Sequence, residues 1–492
     1  MNTILVVIDT LRRDHLGCYG AQAVKTPNLD AFAARAVTFD NAYLASSPCM
    51  PARREILTGR YEFPFRGWGP LEHGDLDLAA ALGKAGKPSM LITDHYHLFE
   101  HGAGNYHFHF SGWEFLRGQE NDHWIVDPSI PPRFPAPERT KCHFAWAQYM
   151  RNTAQWRDAD GRWKHELCTF CAQTFNSAAV WLRENQPLAK QGFFLFVDNF
   201  DPHEPFDPPP PYDTMYTEGA IPEQRVRWPI YGKADRYTPE ELADIRALYA
   251  GKVTLVDKWF GEFMHALEET GRLDDSLVIV TTDHGHLFGE HGMIGKPGTQ
   301  HGDSTLYQEM AHIPLLIHHP DFRSQAGSRR AALVQPVDYF PTVLESMGAA
   351  APEASPHGRT LLPVLQSDSN RVRDIACFGK YGEAVHATDG QWTLAKWPRS
   401  ESNAPLHWHS ALPPDFIKPR GVGPFDREHL RFPIDHWRGS MSDALFNVAA
   451  DPRQEQNLIR EHPEHAARLG GAIRHFFSQI DAPKEQLERL GL

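Results

Sequence analysis

Five short apolar runs, at residues 4–8, 90–93, 193–197, 277–281 and 314–317, limit what this chain can fold into more than any other feature. Each has the length of a strand and lacks polar alternation, so each predicts a strand buried on both faces. Amphipathic stretches at 28–36, 76–85, 172–184 and 240–267 lie between them. The alternation predicts an α/β fold with a largely parallel sheet sandwiched by helices. In such a sheet, functional groups gather beyond the carboxyl ends of the strands. Asp9 follows the first run, Asp201-Pro202-His203 the third and Asp283-His284 the fourth. Three strand ends are therefore expected to converge on one crevice.

From about residue 371 the pattern shifts to shorter strand-like pieces, at 375–379 and 392–397, and then a helix around 463–477. This predicts a catalytic domain over 1–370 and a smaller α+β subdomain over 371–492. Pro- and Gly-rich stretches at 128–137, 205–211 and 405–423 read as surface excursions able to shape a substrate mouth. With 41% hydrophobic residues in 492, the chain can bury a large core. No apolar run approaches the ~20 residues of a membrane span, and the first residues lack a basic leader, so a soluble, cytoplasmic protein is expected. Removal of a leader would make it periplasmic or secreted.

The net charge of −13 argues against nucleic acid or an anionic membrane as a partner. An anionic substrate then needs a locally cationic pocket. The 28 histidines can serve as ligands, proton donors or packing groups. Of these, His101, His107, His109 and His123 read as packing residues. Six cysteines are too sparse for a disulfide scaffold, and Cys168 and Cys171 lack the second pair that a zinc site needs.

The densest signal is Cys49-Met50-Pro51-Ala52-Arg53, followed by a helical run that Gly59 closes. Proline is tolerated in a first helical turn, where no intrahelical donor is lost. Cys49 should then stand at a helix N-terminus, where free N–H groups and the helix dipole favour negative charge.

These residues, with Ile8-Asp9-Thr10-Leu11-Arg12, Thr26-Pro27-Asn28-Leu29-Asp30, Leu57-Thr58-Gly59-Arg60, Thr282-Asp283-His284-Gly285, Gly295-Lys296 and Phe446-Asn447-Val448, stand in one order. That order resembles the type I sulfatases of the alkaline phosphatase superfamily. The resemblance implies an alkaline-phosphatase-like fold and hydrolysis of a sulfated small molecule or carbohydrate. It implies that a separate formylglycine-generating enzyme oxidises Cys49 to formylglycine, whose hydrated form attacks sulfur. One divalent metal ion would be held by Asp9, residue 49, Asp283 and His284. Thr10, which stands where many relatives carry a second carboxylate, is expected to join them in this metal set. An oxygen-rich site with one imidazole favours manganese or magnesium, with calcium as the third candidate.

By the same resemblance Arg53 holds the nucleophile, His97 contacts it, and His203 and Lys296 bind substrate and protonate the leaving oxygen. His95 stands where relatives have a lysine and is expected in the substrate shell. A phosphonate monoester or phosphodiester hydrolase would use the same nucleophile. An inactive anionic-glycan-binding protein would keep Cys49 as a thiol. The sequence is compatible with a homo-oligomer.

Overall fold

Alternating side chains of the first apolar run feed two separate cores, and the rest of the architecture follows from that. In the computed structural model, which describes residues 1–72, 74–100, 103–127, 129, 141–296, 298, 305–351, 356–400, 402–409, 431–433 and 442–492, this run is β1 (Asn2–Ile8). It pairs in parallel with β6 (Phe194–Asn199) on one side and β8 (Ser276–Thr281) on the other. The parallel block continues through β4 (Ser89–Thr93) to β5 (Gly112–Phe115). Beyond β8 lie β11 (Leu315–His318), which runs antiparallel, then β2 (Val37–Ala42) and β12 (Arg329–Val334).

Among the described residues, α1 (Pro27–Ala33), α2 (Cys49–Thr58), α3 (Leu78–Lys84), α5 (Phe170–Glu184) and α6 (Pro239–Glu269) are among the helices that cover this sheet, while α4 (Trp146–Thr153) packs through Trp146 and Tyr149 with Phe170 at the start of α5. Leu5 and Val7 pack with Met50 and Ile56 of α2 and Leu78 and Leu82 of α3. Ile4, Val6 and Ile8 turn the other way, against Phe32 of α1, Phe175 of α5 and Phe260 of α6. Full burial of each such side chain contributes about 1.5–3 kcal/mol. The long α6 starts at a capping box, in which Thr238 and Glu241 each bond the other's backbone N–H, with Pro239 in its first turn.

A second sheet has the order β18 (Ala444–Asn447), β15 (Trp392–Lys396), β14 (Val385–Thr388), β13 (Ala376–Lys380) and β3 (Ser46–Ser47). Leu469, Ile473 and Phe477 of helix Pro463–Gln479 pack with Val385 and Leu394 of this sheet. Its edge strand β3 comes from the N-terminal part of the chain and ends two residues before Cys49. Both sheets therefore hold the segment that starts α2. A small sheet joins β7 (Gly232–Lys233), β9 (Leu287–Phe288) and β10 (Met293–Gly295), and β16 (His407–His409) pairs with β17 (Arg431–Pro433). His101 and most of the stretches 128–137 and 405–423 lie outside the described residues. Among the described residues, no helix is long and apolar enough to cross a membrane.

Candidate active site

Parallel register brings the strand ends to one level: Val7 is opposite both Thr281 and Asp198, and Thr93 is opposite Asp198. Asp9, Asp283, His284 and His95 follow these positions directly, and all four are fully buried. Cys49 comes from a different direction, at the first residue of α2. That helix ends at Gly59, whose φ of 66° is the left-handed C-cap conformation that glycine adopts without strain.

Arg53, one turn into α2, organises the carboxylates. Its Nη2 lies 2.9 Å from Asp9 Oδ2 and 2.8 Å from Asp198 Oδ1, and its Nη1 donates to Asp283 Oδ2 at 2.7 Å. Nη1 also reaches the Cys49 carbonyl at 3.3 Å, which ties the guanidinium to its own helix start. Burial opposes ionisation of Asp9, but Arg53 and His95 hold its pKa well below the usual carboxylate range. Burial pushes Asp198 up despite the same arginine. Three buried carboxylates thus face a single guanidinium, an arrangement a cation would complete.

Asp9, Cys49, Asp283 and His284 offer donor atoms that all lie within 4.8 Å of one another, and this group forms a candidate metal site. His284 fits the role. Its Nδ1 donates to the Gly285 carbonyl at 2.9 Å, which leaves the Nε2 lone pair aimed at Cys49 Sγ, 3.1 Å away. Burial lowers its pKa and so keeps it neutral, the form a ligand needs. Gly285 permits the close approach: a Cβ there would sit 1.8 Å from the Glu309 carbonyl oxygen. Thr10, with φ 63°, donates from its hydroxyl to Asp9 Oδ1 at 2.6 Å and from its N–H to Asp283 Oδ1 at 3.1 Å. It supports two carboxylates and lies outside the group of four.

The other predicted residues divide into two sets. Lys296, which directly follows β10, places Nζ 3.7 Å from Cys49 Sγ and within hydrogen-bond reach of His203 Nε2. Burial disfavours its ammonium, yet the charges of Cys49, Glu204, Asp9 and Asp283 push its pKa up. His203 presents Nδ1 to the Glu204 carbonyl at 2.8 Å and to Glu204 Oε2 at 3.1 Å. Both neighbours are acceptors, so Nδ1 carries the hydrogen and Nε2 accepts from Lys296. Lys252 of α6 donates to the carbonyls of His203 and Pro205, at 2.7 and 2.9 Å, and pairs with Asp201. It fixes the loop that bears His203.

His95 and His97 stand elsewhere. His95 is fully buried, with Nε2 3.3 Å from Asp9 Oδ2, and so adjoins the carboxylate cluster instead of the substrate mouth. Burial, with the Arg53 charge, drives its pKa well down. His97 meets Glu100 at 2.7 Å and Glu120 at 2.8 Å, with the edge of Trp68 against its ring, and these are not contacts to Cys49. Burial alone would lower its pKa, but Glu120 and Glu100 outweigh this and push it up to about 9.

Sequence reasoning missed Asp198, Glu120, Glu204 and Lys252. Asp198 carried a faint signal, as a carboxylate directly after the apolar run 193–197.

The sulfatase family model matches residues 1–349. The multifunctional alkaline phosphatase superfamily protein PehA of Trinickia caryophylli is 26% identical, over 74% of this chain and 77% of its own. An arylsulfatase of Clostridium perfringens is 25% identical, over 76% of this chain and 80% of its own. The crystal structure of a phosphonate monoester hydrolase of Agrobacterium radiobacter superposes with a TM-score of 0.71 at 22% identity, covering 97% of this chain and 96% of that one, and so shares the fold. The chain belongs to the sulfatase family of the alkaline phosphatase superfamily and is a sulfuric ester hydrolase.

Proposed function

We propose that the chain hydrolyses the sulfate monoester of a small molecule or carbohydrate, with residue 49 as nucleophile after oxidation of Cys49 to formylglycine. The observation that carries this reading is the convergence of Asp9, Asp283 and His284 on Cys49 at the start of α2. The thiol stands where an oxygen of the modified residue would be. Asp9, Asp283, His284 and residue 49 would hold one divalent ion, manganese or magnesium before calcium, given three oxygen donors and one imidazole. When bound, that ion supplies Lewis-acid chemistry, polarising oxygens of residue 49 and of the sulfate.

The chain's own residues do the rest. Arg53 neutralises the carboxylates that would otherwise repel an anion, and the first-turn N–H groups of α2 favour negative charge beside residue 49. Lys296 brings an ammonium to the same point, within reach of Cys49 Sγ and of His203. His203 and Lys296 share a proton across Nζ and Nε2, placed to protonate the departing ester oxygen.

A phosphonate ester hydrolase is the second reading. Thr10 favours it, because the carboxylate that many sulfatases carry beside the first aspartate is replaced by a hydroxyl that merely supports Asp9.

The test is chemical analysis of protein co-expressed with a formylglycine-generating enzyme. Peptide mass mapping should find an aldehyde at residue 49, and elemental analysis should find close to one divalent ion per chain. A residue 49 that stays a thiol under conditions that convert a control sulfatase, or protein that retains no divalent metal, would overturn the reading.

A further inference from the structure

One buried carboxylate beside the site comes from a loop that no motif singles out. Glu120 follows β5 in a turn held on every side. Arg117 makes a two-pronged bond to Asp122, the Gly118 N–H donates to Asp122 Oδ2 at 2.8 Å, and Asn152 of α4 donates to the Asp122 carbonyl at 2.7 Å. Glu120 itself has a φ of 46°, in the left-handed region that a residue with a side chain occupies at a cost. The strain delivers its carboxylate, only 8% exposed, between two imidazoles from different strand ends. Oε2 accepts from His97 Nε2 at 2.8 Å, and Oε1 lies 3.6 Å from His203 Nδ1.

We propose that Glu120 is a positioning residue for the proton donor: it closes the Nδ1 side of His203 while holding His97, so that His203 presents Nε2 to the leaving oxygen. The inference rests on the reading of His203 as that donor. With Glu204 on the same side, Nδ1 faces only acceptors, which fixes the tautomer and orientation of the ring. Phe200 stacks on the His203 ring, with the ring centroids 4.1 Å apart, and so packs against one face of it. When residue 49 bonds to sulfur and the bond from sulfur to the ester oxygen breaks, the electron pair stays on the ester oxygen, which takes the proton that Lys296 Nζ passes through His203 Nε2, leaving Lys296 uncharged. The imidazole is left neutral, with its hydrogen on Nδ1.

Leaving-group dependence separates this role from simple support of the fold. We would measure kcat and KM of the wild type, Glu120→Gln, Glu120→Asp and His203→Ala on an alkyl sulfate and on nitrophenyl sulfate, whose leaving group needs little protonation. His203→Ala should lose about 10²-fold or more in kcat on the alkyl ester and far less on the nitrophenyl ester. Glu120→Gln should lose about tenfold on the alkyl ester and within about twofold on the other, with KM little changed. Glu120→Asp, which keeps the charge, should fall between and guards against a Gln variant that does not fold. If His203→Ala shows the selective loss but folded Glu120 variants lose equally on both substrates, or lose nothing, the proposal fails and the donor reading stands. If His203→Ala itself shows no selectivity, both fail together.

Discussion

Replacing Cys49 by alanine is expected to abolish sulfate ester turnover while the protein still folds. Cys49 is 3% exposed and packs at the start of a helix whose ten residues are all buried, so alanine removes one sulfur atom with its contacts to His284 and Lys296 and leaves the backbone scaffold in place. The stability cost should stay below about 2 kcal/mol, the scale of a small deletion. The chemical cost is of another order. An enzyme that loses its nucleophile typically loses about five orders of magnitude or more in kcat, because the surrounding groups cannot substitute for the bond-forming atom. Single-turnover rates on nitrophenyl sulfate, with folding checked by circular dichroism, measure both quantities. Turnover within tenfold of wild type would assign the attacking atom to another residue.

Arg53→Met should be the most damaging single change to stability near the site. The guanidinium is fully buried and is the shared partner of Asp9, Asp198 and Asp283. Methionine fills much of its volume but leaves those carboxylates facing one another. Removal of one partner from a buried ion pair costs about 3–5 kcal/mol, and here three anions lose the same partner. Denaturant unfolding of the metal-free protein should show a loss in or above that range, and the variant should also be inactive. A loss under about 1 kcal/mol would mean that the carboxylates are neutral or paired by other groups, and Arg53 would not be the organising cation.

Much of this site was legible because parallel strands impose it. A buried strand with no polar alternation must end where the chain can again be polar, and adjacent parallel strands end side by side. Asp9 and Asp283 were therefore placed together by periodicity before any contact was known. Cys49 was legible for another reason, since Pro51 and Gly59 mark the start and the stop of its helix.

What stayed hidden lies in contacts that leave no periodic trace. Ser46 and Ser47 form a strand too short to show alternation, so the link that anchors the Cys49 segment to the second sheet was not foreseen. Glu120 gains its importance from an unusual φ and from partners distant in sequence, His97 and His203. His95 was expected near substrate because a lysine occupies that position in relatives. An imidazole is shorter and less costly to bury, and here it turns inward against Asp9.

The most direct test of the central claim is a ratio of kcat/KM values. Fully converted, metal-saturated protein would be assayed on a nitrophenyl sulfate monoester and on a nitrophenyl phosphonate monoester in one buffer. The account predicts a higher kcat/KM for the sulfate. A clear preference for the phosphonate would contradict it, and would make Thr10 and the likeness to the Agrobacterium radiobacter enzyme the better guides to function.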